Sequence, residues 1–252
     1  MIKLEDPKVT EIKSNNNNKE YVINAVSNQG KLLEWAANEL QDDEEVVKKA
    51  LENDGEALEF ASDRLKDNKE IMRLAIKNAP WTACYASERL KADKDVIFES
   101  VKTYGQTLYY ASEELRDDEE IVREAVKNNP EALEFASDRL KENREIVFES
   151  VSKAGWTYCY AKGELMQDKE LLIAGLKVSG QILYYAEPNM RDDEDVVLEA
   201  VKNKPIIIKY ASLRLRENKQ IGLVAMEKNK KCYEFLGEKL KQDEEILNIK
   251  NG

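Results

Sequence analysis

The chain contains no histidine, and this absence narrows the chemistry open to it. Histidine is the most frequent general base near neutral pH and the commonest zinc ligand. The sequence also lacks a glycine-rich phosphate-binding loop and a nucleophile elbow, which are typical of nucleotide-binding and hydrolytic enzymes. We therefore expect a protein that is not an enzyme and that uses neither a cofactor nor a metal ion.

Cysteine is scarce, and long apolar runs are missing. The three cysteines, Cys84, Cys159 and Cys232, are too far apart in sequence for a zinc-ligand motif. No stretch approaches the roughly 20 apolar residues of a membrane span, and the N-terminus lacks the apolar segment of a secretory signal. Reduced thiols and a cytoplasmic location are the expectation.

Basic residues are outnumbered by acidic ones, since 39 Lys and Arg face 50 Asp and Glu, for a net charge of −11. This balance disfavours nucleic acid or an anionic membrane surface as a direct partner. The acidic residues gather in clusters at predicted helix starts, such as Asp42–Glu45 and Asp192–Asp195. An acidic edge along the molecule is therefore expected.

What the chain does have is a repeat of 25 residues without insertion or deletion. Each repeat begins with a short polar residue, which we number position 0: Asn18, Asp43, Asn68, Asp93, Asp118, Asn143, Asp168, Asp193, Asn218 and Asp243. Asp and Asn are preferred helix N-caps because their side-chain oxygen accepts an amide of the first turn. Position 2 is acidic in almost every repeat, which suits the positive end of the helix dipole.

Apolar spacing after each cap predicts two helices and a further turn. Apolar or small residues at positions 3, 4, 7 and 8, such as Val46 and Ala50, form one helical stripe. A Gly or Pro at position 12 ends that helix, and positions 14, 15, 17 and 18 predict a second, short one. Position 17 is aromatic in every repeat, which we interpret as a continuous core ladder of rings. Ser at position 19 is expected to cap a final turn anchored by a leucine at position 22.

These patterns predict an all-α protein, an α-solenoid of tandem 25-residue helical-hairpin units in a single elongated or superhelical domain. Residues 1–17 are expected to form a polar N-terminal leader, at least partly disordered. Residues 18–252 are expected to form the repeat array, with an atypical C-terminal capping repeat over about residues 228–252, where Lys230 and Lys250 replace the usual small residues.

The recurring segment Ala111-Ser-Glu-Glu-Leu-Arg-Asp-Asp-Glu-Glu-Ile-Val122, with its near copy in residues 61–71, resembles an uncharacterised tandem helical-repeat family. That family, found in bacteria and protists, is known as a domain of unknown function with the motif ASxxL…DxE(I/V)V. The resemblance covers nearly the whole chain after about Asn18. It implies a helical array and no known activity, so it assigns no functional residues.

Repeats three apart are more alike than neighbours, which groups the array into triplets of 75 residues. Trp81-Thr-Ala-Cys-Tyr-Ala86 matches Trp156-Thr-Tyr-Cys-Tyr-Ala161, and residues 56–60 match residues 131–135. A duplication of three repeats explains this pattern, and so does a superhelical turn of three repeats. Both explanations remain open from the sequence.

Positions 13 and 16 vary most, and they predict the partner-binding surface. Since they lie one helical turn apart, they share a face, which carries aromatic and acidic residues beyond those the core needs. The candidate binding residues are Trp81, Trp156, Tyr109 and Tyr184, with Glu56, Glu59, Glu131 and Glu134 as the acidic part. Exposed Trp and Tyr are favoured anchors in protein interfaces. The alternative is that these rings only cover gaps between repeats.

Three classes of function fit the sequence. A non-enzymatic scaffold that binds protein or peptide is favoured. The alternative is an acidic decoy that inhibits another protein by occupying its basic nucleic-acid-binding site. An enzyme acting on DNA bases is a third class, but it would need a basic surface that the charge balance does not provide.

Overall fold

The computed structural model describes residues 7–252, and within that range the chain forms helices and no strand. It divides into two compact units, Met1–Phe135 and Ala136–Gly252. In both units, a repeat consists of a long α-helix from position 1, a 3₁₀ helix over positions 12–17 and a short helix around position 22. The predicted all-α tandem-repeat solenoid is thus confirmed.

In the first unit, the long helices of the repeats are Lys19–Asn28, Glu44–Asn53, Lys69–Asn78, Lys94–Thr103 and Glu119–Asn128. The 3₁₀ helices are Gly30–Trp35, Gly55–Phe60, Pro80–Tyr85, Gly105–Tyr110 and Pro130–Phe135. The short α-helices are Asn38–Gln41, Asp63–Lys66, Glu88–Lys91 and Glu113–Arg116.

In the second unit, the long helices are Arg144–Lys153, Lys169–Val178, Glu194–Asn203, Lys219–Lys228 and Glu244–Asn251. The 3₁₀ helices are Gly155–Tyr160, Gly180–Tyr185, Pro205–Tyr210 and Lys230–Phe235. The short helices are α-helical at Asp138–Lys141 and Leu213–Arg216, and 3₁₀ at Gly163–Gln167, Met190–Asp192 and Leu240–Gln242. The three 3₁₀ forms occur in repeats that lack the usual capping serine, although Ala37 of the first unit also replaces it and precedes an α-helix.

The leader, which we expected to be partly disordered, contains an α-helix over Pro7–Ser14. Its Ile12 is buried in the core of the first unit. Lys13 lies 3.9 Å from the ring centroid of Trp35, and the Tyr21 hydroxyl donates to Glu11 at 3.2 Å. Val9 also packs against this core, so two apolar side chains and these polar contacts dock the short helix, while residues 1–6 lie outside the described range.

The predicted caps are confirmed in both units. The side chain of Asp93 accepts from the amides of Asp95 and Val96 at 3.1 and 3.2 Å. At position 19, the Ser62 hydroxyl accepts from the amide of Leu65 at 3.3 Å and begins the short helix. These bonds satisfy amides that a helix start otherwise leaves without a partner.

In each unit, the core lies between a layer of long helices and a layer of 3₁₀ helices. The long helices contribute positions 3, 4, 7 and 8, and the 3₁₀ layer contributes positions 14, 15 and 18, with the leucine of position 22 closing one end. Leu58, at position 15, is fully buried, and burial of such a side chain contributes about 2 kcal/mol.

The rings of position 17 are not in this core, so the predicted core ladder is wrong. Trp35, Phe60 and Tyr85 pack against the buried cluster but are only partly buried, and Tyr185 is 53% exposed. Positions 14, 15 and 18 already fill the space between the layers. A ring at the last residue of a 3₁₀ helix therefore rests on the edge of the core with one side in water.

Neighbouring repeats are joined by asparagines at position 10. The side chain of Asn128 donates to the carbonyl of Lys102 at 3.1 Å and accepts from the amide of Gly105 at 2.8 Å. Asn53 and Asn203 make the same pair of bonds to the preceding repeat. Each such asparagine links the end of one long helix to the start of the 3₁₀ helix that follows it.

Charged residues at position 1 also join repeats. Lys94 pairs with Asp118 at 2.9 Å and with Glu120 at 2.8 Å in the next repeat, and Lys169 does the same with Asp193 and Asp195. Where position 1 is acidic, as at Glu44 and Glu194, the next cap is an uncharged asparagine, Asn68 or Asn218. The clusters predicted as an acidic edge thus contain many carboxylates that are paired with cations of the preceding repeat.

These pairs predict how stability depends on pH. Burial raises the pKa of Asp118, but hydrogen bonds from Lys94 and the amide of Ile121 outweigh it and hold the pKa below its ordinary value of 3.8. A carboxyl group whose folded pKa is depressed stabilises the fold above its unfolded pKa, and this stability is lost as the pH falls through the folded pKa. Near neutral pH these carboxyl groups stay ionised, so we expect the denaturant concentration at the midpoint of unfolding not to change with pH. At pH values below about 4 they become protonated, and the midpoint should decrease.

Asp118→Asn is the matched variant for this titration, because asparagine is a native cap at other repeats. It keeps the oxygen that accepts the cap amides and removes the titrating charge. We expect a slightly lower unfolding midpoint than the wild type at neutral pH and a smaller difference below about pH 4. A constant difference across this pH range would show that the pair with Lys94 does not contribute to acid sensitivity.

Candidate functional site

In each unit, the candidate site is the outer surface of the 3₁₀ layer, which is formed by positions 13, 16 and 17 and is called here the 3₁₀ face. With three residues per turn, positions 13 and 16 of a 3₁₀ helix are eclipsed and project on one line. No residue at these positions is buried in the part of the chain that the structure describes. All eight residues predicted from the sequence lie at positions 13 and 16.

Trp81 and Glu56 are brought together in the first unit. The Trp81 Nε1 donates to the Glu56 carboxylate at 3.0 Å, and its ring meets the edge of Tyr104 with centroids 6.2 Å apart. Glu56 also pairs with Lys31 of the preceding repeat. Its pKa is lowered, first by Lys31 and then by Trp81. Trp81 remains 44% exposed, so Glu56 holds a large ring in place at the surface.

Glu59 is exposed and lies beside Tyr85. Burial, together with the neighbouring Cys84 and Glu59, raises the pKa of Tyr85 to about 12. A hydrogen bond between the Tyr85 hydroxyl and the Glu59 carboxylate is among the causes of this shift. Glu56 and Glu59 thus lie against rings of the following repeat.

Tyr109 is the centre of a cluster of three rings. Its ring meets that of Tyr110 with centroids 5.0 Å apart and that of Phe135 at 5.2 Å, both edge to face. Even so, Tyr109 is 59% exposed. The amide of Glu131 donates to Asn129 at 3.0 Å, and Gln106 approaches the Glu131 carboxylate at 3.5 Å. Glu134 is exposed at the adjacent position 16.

The second unit has the equivalent cluster around Tyr184. The centroid of Tyr184 lies 5.0 Å from that of Tyr185 and 4.9 Å from that of Tyr210. Tyr184 is 54% exposed. Trp156, by contrast, is half-buried and packs against Tyr160 at 5.5 Å. The predicted residues therefore form separate clusters, in which Trp156 offers less surface than Trp81.

Sequence reasoning missed the rings of position 17, which it placed in the core. Most of them are tyrosines: Tyr85, Tyr110, Tyr160, Tyr185 and Tyr210. A tyrosine places an apolar ring and a hydroxyl at the boundary between core and water. This preference for tyrosine was the available signal that position 17 lies at the edge of the core.

Two properties of the described residues concern other kinds of site. Within residues 7–252, no group of three or more cysteine or acidic side chains is placed to hold a metal ion. In the same range, every helix is too short or too polar to cross a bilayer. Of the three cysteines, Cys84 is half-buried, Cys159 is exposed and Cys232 is buried.

Comparison with known proteins adds the family. No curated protein and no solved structure matches the chain significantly. A family described as "Domain of unknown function (DUF4116)" matches five segments, residues 18–66, 43–91, 93–141, 143–191 and 193–241. Each segment begins at a cap and spans two of the 25-residue repeats. Since the matches together cover most of the sequence, this chain belongs to the DUF4116 family of tandem helical repeats, a family of unknown function.

Proposed function

We propose that the chain is a non-enzymatic scaffold that binds a protein or peptide through its 3₁₀ face. The observation that carries this proposal is the set of large rings kept in water, Trp81, Tyr109, Tyr184 and Tyr185. The core does not need them, since positions 14, 15 and 18 already fill the space between the layers. Exposed tyrosine and tryptophan side chains are the commonest anchors of protein interfaces.

The tyrosine clusters are also held rigidly, which suits an interface. Tyr109 and Tyr184 each have two edge-to-face ring neighbours at about 5 Å. A ring that is already ordered loses little conformational entropy when a partner binds. The pairing of cap carboxylates with lysines weakens the case for an acidic decoy, because paired charges offer less field to a basic site.

Photo-crosslinking from the surface tests this proposal. We would place p-benzoyl-phenylalanine at Tyr109 or Tyr184, and at Glu52 on an exposed long-helix surface as the control. In extracts of the native cell, the two tyrosine positions should yield a discrete crosslinked protein that the control does not. Equal labelling from Glu52, or no crosslink from either tyrosine position, would contradict binding through the 3₁₀ face.

A further inference from the structure

The second unit contains a groove between the 3₁₀ helices Gly180–Tyr185 and Pro205–Tyr210. Its volume is about 420 Å³, and its apolar walls are Tyr184, Tyr185, Ile206 and Tyr210. This volume is within the range of small-ligand sites. Two lysines, Lys204 and Lys209, complete the lining together with Gln181 and Ile207, and no carboxylate lines the groove in the described part of the chain.

These lysines differ from those that join repeats. Lys204 donates to the side-chain oxygen of Gln181 at 3.0 Å, and Lys209 lies 4.8 Å from the ring centroid of Tyr210. Within residues 7–252 neither has a carboxylate within ion-pair distance, whereas Lys169 in the same unit has two. Lys177 and Lys239 also have no carboxylate within ion-pair distance in residues 7–252, but they do not line the groove. What distinguishes Lys204 and Lys209 is their position beside its apolar walls.

The first unit carries a natural comparison one triplet earlier. Tyr109, Tyr110 and Phe135 repeat the ring cluster of Tyr184, Tyr185 and Tyr210 with nearly the same spacing. The places of Lys204, Ile206 and Lys209 are taken there by Asn129, Glu131 and Glu134. The ring cluster therefore forms whether lysines or glutamates lie beside it, so the fold does not require the lysines.

From these observations we infer that the groove around Tyr184 binds an acidic peptide segment in which carboxylates flank an aromatic or aliphatic side chain. The apolar side chain lies against Tyr184 and Ile206, and the flanking carboxylates meet Lys204 and Lys209. Net charge does not oppose this, because solvent-exposed charges beyond about 8 Å are screened at physiological ionic strength. The inference rests on the proposed function, since it names the partner chemistry for one part of the 3₁₀ face.

The probe is a short fluorescein-labelled peptide of alternating Glu with Phe and Leu, titrated against the full chain in anisotropy. The comparison peptide carries Lys in place of each Glu. The test variant is Lys204→Asn with Lys209→Glu, which introduces the residues of the first unit. Its charge-matched control is Lys177→Asn with Lys239→Glu, at two exposed positions of the second unit outside the groove.

We expect saturable binding of the acidic probe, weakened about tenfold or more by the groove variant and less than about threefold by the control. Added salt should weaken wild-type binding more than that of the groove variant. Equal losses in the two variants, equal binding of the basic peptide, or no saturation below about 1 mM would overturn the inference. Circular dichroism on each variant checks that the helices are retained.

Failure of this inference is distinguishable from failure of the proposed function. If the acidic probe does not bind but crosslinking from Tyr184 still captures a discrete protein, the groove is part of a binding face with another partner chemistry. If neither occurs and Tyr109 also fails to crosslink, the 3₁₀ face is not a binding surface. In both cases the acidic-peptide inference is wrong.

Discussion

Gly105→Ala is expected to lower the free energy of unfolding by about 3 kcal/mol, the upper part of the range for overpacking. A Cβ at this position would lie 2.4 Å from the carbonyl oxygen of Ala125 and 3.0 Å from the Cβ of Asn129. The obstacle is the backbone of the next long helix, which cannot rotate away as a side chain can. The two repeats would have to separate, which also stretches the bond between Asn128 and the Gly105 amide.

Elsewhere in the chain, the position of Gly105 within the repeat is occupied by a larger residue. Pro80 occupies it one repeat earlier, and there the next repeat supplies Ser100, whose hydroxyl donates to the Pro80 carbonyl at 2.7 Å. The repeat after Gly105 has Ala125 instead, so it lacks that bond, although Pro205 is also followed by an alanine, Ala225, in the next repeat. The methyl group added at Gly105 would therefore lie between two repeats whose backbones already approach closely.

Guanidinium unfolding followed by circular dichroism measures the loss. Lys102→Ala, an exposed change in the helix just before Gly105, should stay within about 0.5 kcal/mol of the wild type. If Gly105→Ala matched that control, the contact between these repeats would be looser than the structure shows.

The second large effect is expected on binding. Trp81→Ala and Tyr184→Ala should each weaken binding of the partner that contacts that part of the 3₁₀ face. The expected loss of binding free energy is about 2 kcal/mol or more, the range of interface hot spots. Both side chains are about half exposed in the free protein and are positioned by neighbours. Trp81→Ala loses one surface hydrogen bond and one ring contact, and Tyr184→Ala loses two ring contacts, so each should cost the fold about 1 to 2 kcal/mol.

Leu213→Ala is the matched control for both variants. Leu213 is 57% exposed and apolar, but it lies on the short helix Leu213–Arg216 and is not at position 13, 16 or 17. Affinity is measured by calorimetry with the crosslinked partner, and stability by guanidinium unfolding on the same preparations. Unchanged affinity with a large drop in stability would make Trp81 and Tyr184 structural. An equal loss of affinity in Leu213→Ala would show that general surface hydrophobicity explains the binding.

Much of the architecture follows from the sequence because its causes are local. A cap such as Asp93 bonds amides two and three residues later, and Ser62 bonds the amide of Leu65. The buried stripe of Val46, Val47, Ala50 and Leu51 could be predicted from the 3.6-residue period of a single helix. These local causes recur every 25 residues, so the repeat, the helix starts and the face carrying Trp81 and Tyr109 were predictable.

Only the tertiary structure decided which side chains of a repeat meet water and which meet the next repeat. The contacts that decide this join residues about one repeat apart: Glu56 with Trp81, Lys94 with Asp118, and Tyr184 with Tyr210. A single repeat has no such partner, so the spacing of its apolar residues does not show that a ring at position 17 lies on the edge of the core; only the preference for tyrosine there indicated it. The positive charge of the groove at Tyr184 likewise comes from two lysines of the following repeat. They lie beside these rings only because consecutive repeats pack against each other.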